Sequence, residues 1–173
     1  RQGYSADAGR GGGALFDLVH QIDLALWLFG PVRQVAAMLD RRGSLAIAGD
    51  DFSSLMLRHA DGTVGQIQLD MLSPAYRGAG EVVTLEDVFD WSLATGTLTR
   101  RRGNETETVA RVPDGFQRND LFLAHMRHFL SRLDDPSLPA LCPLSDGIAA
   151  LDILLAARKS QEEERFVTLE SKE

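Results

Sequence analysis

The sequence predicts an α+β fold, with a large, mostly antiparallel open β-sheet and helices packed on one face. Three observations predict this class. Apolar residues recur at three- and four-residue steps near the start of the chain, short strand-like runs joined by turn signals fill the middle, and helical periodicity returns in the last third. Consecutive hairpins make neighbouring strands antiparallel, and helices that stand apart from the strands in sequence are typical of α+β domains.

The first element is a predicted helix that follows a glycine-rich loop. Residues 1–13 are polar and end in Gly11-Gly12-Gly13, which favours a loop. Apolar residues at helical spacing predict a single helix from Ala14 to Phe29, and Gly30-Pro31 is a typical helix end. Because this helix is apolar on nearly every side, we expect it to be buried.

The middle of the chain consists of strand-like runs. Three two-residue sequences with turn character separate consecutive pairs of runs: Asp61-Gly62, Glu86-Asp87 and Gly103-Asn104. Seven strands are therefore predicted, at residues 32–39, 52–59, 63–72, 81–85, 88–93, 97–102 and 106–112.

The last third is predicted to hold two helices and a short strand. The first helix covers Asn119 to Leu133, with Asp120 as a favourable acid in its first turn. A loop with three prolines follows, and Ser145 is the predicted N-cap of a helix that runs to about Glu164. Residues 166–169 are expected to add a closing edge strand. With helices on one face of the sheet, something else must cover the other face.

Composition narrows the possible partners and locations. The 173 residues, with 44% hydrophobic and 25% charged, are ordinary for one soluble globular domain. A net charge of −7 provides no basic footprint for a phosphate backbone, so we expect no nucleic-acid partner. The longest apolar stretch, Leu24 to Phe29, is too short to span a bilayer, so we expect no membrane partner. The single cysteine, Cys142, fits a reducing compartment, and we expect a cytoplasmic protein.

Asp17, His20 and Asp23 are the most informative polar residues. Their spacing of three places them on one stripe of the predicted helix, about 60° apart at each step. Buried Asp and His side chains must be paired or functional, and His beside a carboxylate is the usual arrangement for general acid–base chemistry. Two other interpretations stay open: a polar stripe satisfied within the fold, or a metal site that would need further ligands from elsewhere.

Other patterns have simpler interpretations. The stretch from Gly9 to Ala14 matches G-x-G-x-x-A, but a dinucleotide fingerprint follows a buried strand, and only eight residues precede this one. We interpret it as a decoy. His125 and His128 lack further ligands for a metal, so one is expected to be half-buried and the other solvated. Arg100 to Arg102 are interpreted as charges that protect an edge strand from pairing.

The stretch from Gly11 to Gly30, GGGALFDLVHQIDLALWLFG, resembles the start of the second domain in a known family. This family is the glucose–fructose oxidoreductase/inositol dehydrogenase/MocA-type NAD(P)-dependent oxidoreductases. Its members open that domain with a glycine run, followed by an Asp and a His on a helix that ends in Leu-x-Gly. Further segments resemble one subgroup, so that the resemblance extends over essentially the whole chain: residues 1–5, 64–65 with 69–77, 118–130, 146–158 and 167–169.

The resemblance implies an enzyme built in two halves. Residues 1–173 would be the single C-terminal domain for substrate binding and dimerisation, with the N-terminal Rossmann domain absent from this chain. NAD or NADP would be bound mainly by that missing domain, so we expect no cofactor-binding residue and no metal ligand here, and no activity from this fragment alone. The open sheet face would join subunits into a homo-oligomer, a dimer or tetramer.

The resemblance also implies roles for particular residues. His20 would accept the proton of a substrate hydroxyl on a sugar, cyclitol or related polyol, and Asp17 would orient His20 or hold a neighbouring hydroxyl. The implied substrate contacts are Asp23, Arg1, Tyr4, Tyr76 and Arg77. Many members space the Asp and the His by four residues, and the spacing of three here leaves the division of roles open. The alternative function is a non-catalytic carbohydrate-binding or dimerisation domain.

Overall fold

The computed structural model describes residues 7, 11–43 and 45–170, and they divide into two compact units. The first unit comprises residues 1–72 with 141–173, and the second comprises residues 73–140. The predicted α+β class is confirmed, since both helices and antiparallel strands are present.

Four helices and eight strands lie within the described part of the chain. In chain order they are α1 (Ala14–Asp17), α2 (His20–Phe29), β1 (Val32–Asp40), β2 (Phe52–His59), β3 (Val64–Asp70), β4 (Ala79–Val83), β5 (Val88–Ser92), β6 (Thr97–Arg102), β7 (Glu105–Arg111), α3 (Arg118–Asp134), α4 (Leu144–Glu163) and β8 (Val167–Thr168). The strands form two four-stranded antiparallel sheets rather than the single large sheet that was expected.

The first unit is a sheet of order β3-β2-β1-β8 with α1, α2 and α4 on one face. In β2, alternate residues point towards these helices, so Leu55 and Leu57 are buried while Met56 between them is exposed. The core between helices and sheet also includes Leu15, Ile22, Val35, Leu69, Ile153, Leu154 and Ala157. The helices therefore take their positions from a well-packed apolar layer.

The edge of this sheet is completed partly by a helix. The predicted closing strand is present as β8, which pairs with β1 only at Gln34 and Val35. Beyond it, the N–H of Ala37 donates to Ser160 Oγ at 3.0 Å, and the N–H of Leu39 donates to Gln161 Oε1 at 2.7 Å. Side chains of α4 thus replace a missing strand along the rest of β1.

The β2–β3 hairpin confirms the predicted turn at Asp61-Gly62. Gly62 has a φ of 93°, a conformation that favours glycine. The Asp61 carboxylate accepts hydrogen bonds from the backbone N–H and the hydroxyl of Thr63, and these bonds lower the pKa of Asp61.

The second unit contains α3 and a sheet in which β4, β5, β6 and β7 pair in sequence order. The predicted turns at Glu86-Asp87 and Gly103-Asn104 join β4 to β5 and β6 to β7. At the start of α3 the N–H of Gln117 donates to the Asp120 carboxylate at 2.8 Å, which confirms Asp120 as a favourable first-turn acid.

The arginine run lies on β6, which is flanked by β5 and β7, so the expectation of an edge strand is wrong. Each arginine faces a carboxylate on a neighbouring strand or turn: Arg100 with Glu107 at 2.7 Å, Arg101 with Asp90 at 2.9 Å and Arg102 with Asp87 at 2.6 Å. The hydrogen bond from Arg102 lowers the pKa of Asp87. These charges serve cross-strand pairing within the sheet.

Two helix boundaries differ from the prediction. The expected single helix from Ala14 to Phe29 is interrupted at Leu18 and Val19, where the N–H of Gln21 bonds back only three residues, to Leu18 O. Such a tight turn keeps apolar side chains at three- and four-residue spacing, so periodicity does not reveal it. The last helix has Pro143 rather than Ser145 as its N-cap.

No helix within residues 7, 11–43 and 45–170 has both the length and the apolar character needed to cross a bilayer.

Candidate functional site

The glycine run packs directly against the loop before β2. A Cβ on Gly13, whose φ is 119°, would lie 2.5 Å from Asp50 Oδ1. The N–H of Ala14 donates to the backbone oxygen of Asp50 at 2.8 Å, and the N–H of Leu15 donates to its Oδ2, also at 2.8 Å. Two of the amides that a helix start leaves without a partner are thereby satisfied, and the first turn of α1 is held in place.

The two aspartates of this loop have separate partners. Asp50 Oδ2 also accepts the hydroxyl of Ser53 at 2.6 Å. Asp51 is fully buried, and its two carboxylate oxygens accept the N–H groups of Arg42 and Gly43 at 2.7 and 2.8 Å. Asp51 therefore shapes the β1–β2 connection, and that connection presents Asp50 to α1.

The sequence gives no indication of this loop's role. Asp50 and Leu15 are 35 residues apart, and no periodicity or motif links them. The only local signal is Gly49-Asp50-Asp51 immediately before a strand, which is ordinary turn composition.

A dinucleotide diphosphate does not fit the amides that follow the glycine run. Gly9 and Arg10 of the G-x-G-x-x-A pattern lie outside the described residues, but Ala14 and Leu15 are described, and Asp50 already occupies their N–H groups. A phosphate there would meet a carboxylate instead of free donors.

Asp17, His20 and Asp23 lie at the junction between the first two helices. Asp17 is the last residue of α1, His20 is the first residue of α2, and Asp23 is in the first turn of α2. The expectation that these side chains are buried is wrong for His20, which is exposed, while Asp17 and Asp23 are partly buried. Within the part of the chain that the structure describes, no hydrogen bond or ion pair engages any of the three side chains.

The expected burial of the whole helix is also wrong. Trp27, seven residues after His20, is 80% exposed, and Leu28 is exposed as well. Only Ile22 of α2 is fully buried, because one side of this helix faces α4 and the sheet while the other faces outward. His20 and Trp27 are about two turns apart, so they share the outward face.

The C-terminal end of α2 is held by a buried histidine. His59 is 1% exposed, and its Nδ1–H donates to the backbone oxygen of Gly30 at 2.8 Å. Its ring lies edge-on to Phe29, with 5.5 Å between centroids. The C-terminal end of α2 is thus held by the end of β2, and His20 lies at the opposite end of the helix. Nothing in the local sequence marks His59 for this role.

The arrangement leaves an imidazole exposed at the start of α2, with two carboxylates close to it in sequence. An imidazole can exchange a proton near neutral pH, and a nearby carboxylate can stabilise the imidazolium or hold a neighbouring hydroxyl. Among the residues of known placement, no group of three or more His, Cys, Asp or Glu is gathered to hold a metal ion.

The other predicted site residues do not belong to the junction between α1 and α2. Arg1 and Tyr4 lie outside the described residues. Tyr76 and Arg77 belong to the second unit, in the loop between β3 and β4, and both are exposed. The sequence did not indicate a role for Arg158 of α4. Its guanidinium lies 5.8 Å from the ring centroid of Phe16, the residue that precedes Asp17.

A family model described as the GFO/IDH/MocA C-terminal domain matches residues 1–89, more than half of the chain. A search of curated proteins finds no match.

Solved structures share the fold. GenD2 from gentamicin A biosynthesis, in complex with NAD, is 23% identical with a TM-score of 0.80, over 99% of this chain and 52% of that one. The apo form of levoglucosan dehydrogenase is 19% identical with a TM-score of 0.85, over 99% of this chain and 55% of that one. An oxidoreductase from Agrobacterium radiobacter, in complex with NAD+, L-tartaric acid and magnesium, is 19% identical with a TM-score of 0.76. The match covers 96% of this chain and 52% of that one. This chain therefore spans about half the length of the structures it matches.

Proposed function

This chain belongs to the GFO/IDH/MocA family, since the model of that family's C-terminal domain matches residues 1–89. From that premise we propose that the chain is the substrate-binding half of an NAD(P)-dependent oxidoreductase. The substrate would be a sugar, cyclitol or related polyol, oxidised at one hydroxyl. The observation that carries the proposal is the exposed His20 at the start of α2, directly after a helix that ends in Asp17.

The proposed reaction divides between this chain and the cofactor. The substrate hydroxyl gives its proton to His20. The carbon that carries this hydroxyl loses a hydride and becomes a carbonyl carbon. The nicotinamide supplies the hydride acceptor. Asp17 steadies the imidazolium that forms or holds an adjacent hydroxyl, and Asp23, in the next turn, is a candidate for binding a further hydroxyl.

The cofactor itself is proposed to be NAD or NADP, bound mainly by an N-terminal domain that is not among these 173 residues. The occupied amides of Ala14 and Leu15 support this division of labour, because the chain presents no free helix start there for a diphosphate. Structural relatives with NAD or NADH, including levoglucosan dehydrogenase with NADH and levoglucosan, favour a nicotinamide cofactor and a carbohydrate substrate.

We also propose a homo-oligomer formed through the open face of the first sheet. This face carries Met38, Met56 and Val64, all exposed, opposite the face that packs against the helices. Exposed apolar side chains on an uncovered sheet face favour a second copy of the same surface.

The replacement His20→Gln in the full-length protein tests the catalytic role. Steady-state oxidation of a panel of sugars and polyols, followed by NAD(P)H absorbance, should give a kcat at least about 100-fold lower, because general-base catalysis contributes on this scale. The KM for NAD(P) should stay within about twofold of the wild-type value, since cofactor binding does not use His20.

The matched control is His125→Gln, on the exposed surface of α3, which should leave kcat unchanged. Full turnover by the His20 variant would refute the assignment. A wild-type protein that binds panel sugars without oxidising any of them would favour the non-catalytic alternative.

A further inference from the structure

We propose that Asp50 is a positioning residue for the site, which sets the placement of Asp17 and His20 by anchoring the start of α1. The proposal rests on the proposed function, since it concerns the geometry of the same site. Asp50 lies in the β1–β2 connection and touches neither of the two residues through any hydrogen bond of the described chain. Its influence would pass through the backbone of residues 13–17.

The contacts between Asp50 and this backbone are close and numerous. Its main-chain oxygen accepts the N–H of Ala14, its Oδ2 accepts the N–H of Leu15, and its Oδ1 occupies the space where a side chain on Gly13 would stand. In the same way, a Cβ on Gly49 would lie 2.7 Å from Gly12 O. The two segments approach each other as closely as glycines permit, so a shift of one must move the other.

Helix α1 depends on such an anchor because it is very short. Four residues form a single turn, which has no stability of its own in water. Asp17 ends that turn, and only Leu18 and Val19 separate it from His20. The position of Asp17 relative to His20 is therefore decided by where α1 begins, and Asp50 decides that.

Asp50 is itself held in one orientation. The hydroxyl of Ser53, a fully buried residue of β2, donates to the same Oδ2 that accepts Leu15 N–H. Asp51, next in the chain, fixes the turn at Arg42 and Gly43. The start of β2 thus holds Asp50 in place, and Asp50 in turn holds the start of α1. Catalytic groups need such well-held supporting residues to keep their geometry.

The test is the variant Asp50→Asn in the full-length protein, with Asp40→Asn as the matched control. Both changes remove one carboxylate near the same loop, but Asp40 pairs on the surface with Arg42, and among the described residues no hydrogen bond or ion pair joins its side chain to α1. An amide oxygen accepts two donors more weakly than a carboxylate, so α1 should loosen. We expect kcat to fall at least tenfold for Asp50→Asn, with KM for NAD(P) unchanged, and neither value to change for Asp40→Asn.

A double variant separates positioning from general damage. If Asp50 acts through the His20 site, adding Asp50→Asn to His20→Gln should lower the residual kcat by less than twofold, because His20, the base whose placement it sets, is already gone. A further tenfold loss in the double variant would overturn the proposal, as would a wild-type kcat in Asp50→Asn alone.

Amide hydrogen exchange tests the anchoring of α1 without a measurement of turnover. In Asp50→Asn the amides of Leu15 and of residues 20–23 should exchange at least tenfold faster, while those of β2 and β3 keep their protection. If the wild-type protein oxidises no panel substrate, the proposed function fails, and exchange alone still decides whether Asp50 anchors α1. Unchanged exchange at Leu15 would overturn the inference whatever the activity.

Discussion

At the scale of single residues, neighbouring carboxylates differ greatly in what they contribute. Asp51 is fully buried and accepts two backbone N–H groups, whereas Asp40, at the other end of the same connection, forms an exposed pair with Arg42. Burying a carboxylate is costly unless its oxygens are hydrogen-bonded, and exposed ion pairs contribute little because water and salt screen them. Asp51 should therefore contribute much more to stability than Asp40, although both belong to the same connection.

Replacement of Asp51 by alanine should be strongly destabilising. The variant Asp51→Ala leaves the N–H groups of Arg42 and Gly43 without their acceptors in a buried turn, and we expect a loss of about 2–4 kcal/mol in the free energy of unfolding. Urea denaturation measures the change. Asp40→Ala is the control, with an expected loss below about 0.5 kcal/mol. Equal effects of the two substitutions would contradict the role given to Asp51.

At the scale of elements, α4 both covers the first sheet and completes its edge. Its apolar side packs on β1, and its Ser160 hydroxyl accepts the N–H of Ala37 while donating to the oxygen of Arg165. Strand β8 is only two residues long, so without Ser160 and Gln161 the N–H groups of Ala37 and Leu39 would have no acceptor on this side of β1.

The variant Ser160→Ala tests this edge. It removes one acceptor and one donor at a residue that is 2% exposed, and the expected loss of unfolding free energy is about 1–3 kcal/mol. The control in the same helix is Ser145→Ala, because Ser145 is exposed and, within the described part of the chain, its hydroxyl hydrogen-bonds only to the adjacent Asp146. Thermal denaturation compares the two, and a Ser160→Ala melting temperature equal to that of Ser145→Ala would refute the role of this hydroxyl.

At the scale of the whole molecule, the uncovered face of the first sheet is the most consequential surface. The helices cover one face, and Met38, Met56 and Val64 stand exposed on the other among polar neighbours such as Gln66 and Gln68. The proposed homo-oligomer would bury this face.

The substitution Met56→Lys places a charge on the proposed interface. Sedimentation velocity of the full-length protein should give a dimer or tetramer for wild type and a smaller species for the variant, because an unpaired charge is costly to bury. Leu85→Lys, at a fully exposed position between β4 and β5, is the control and should leave the assembly unchanged. A wild-type monomer at all concentrations, or an unaltered Met56→Lys assembly, would argue against this interface.

Much of the fold was predictable because its signals are local. The turns at Asp61-Gly62 and Gly103-Asn104 depend on residues that are adjacent in the chain, and so do the strand alternation and the glycine after α2. These signals were enough to place most helices and strands, and the segment from Gly11 to Gly30 was enough to recognise the family.

The sequence by itself thus determined the α+β class, the order of its elements, and Asp17 and His20 as candidates. The tertiary structure decided that His20 is exposed, that the predicted helix divides at Leu18 and Val19, and that the strands form two sheets. It also brought Asp50 to Leu15 across 35 residues and His59 to Gly30 across 29. The physical reason is that turn chemistry and periodicity act between near neighbours, whereas burial and long-range hydrogen bonds depend on how the whole backbone closes on itself.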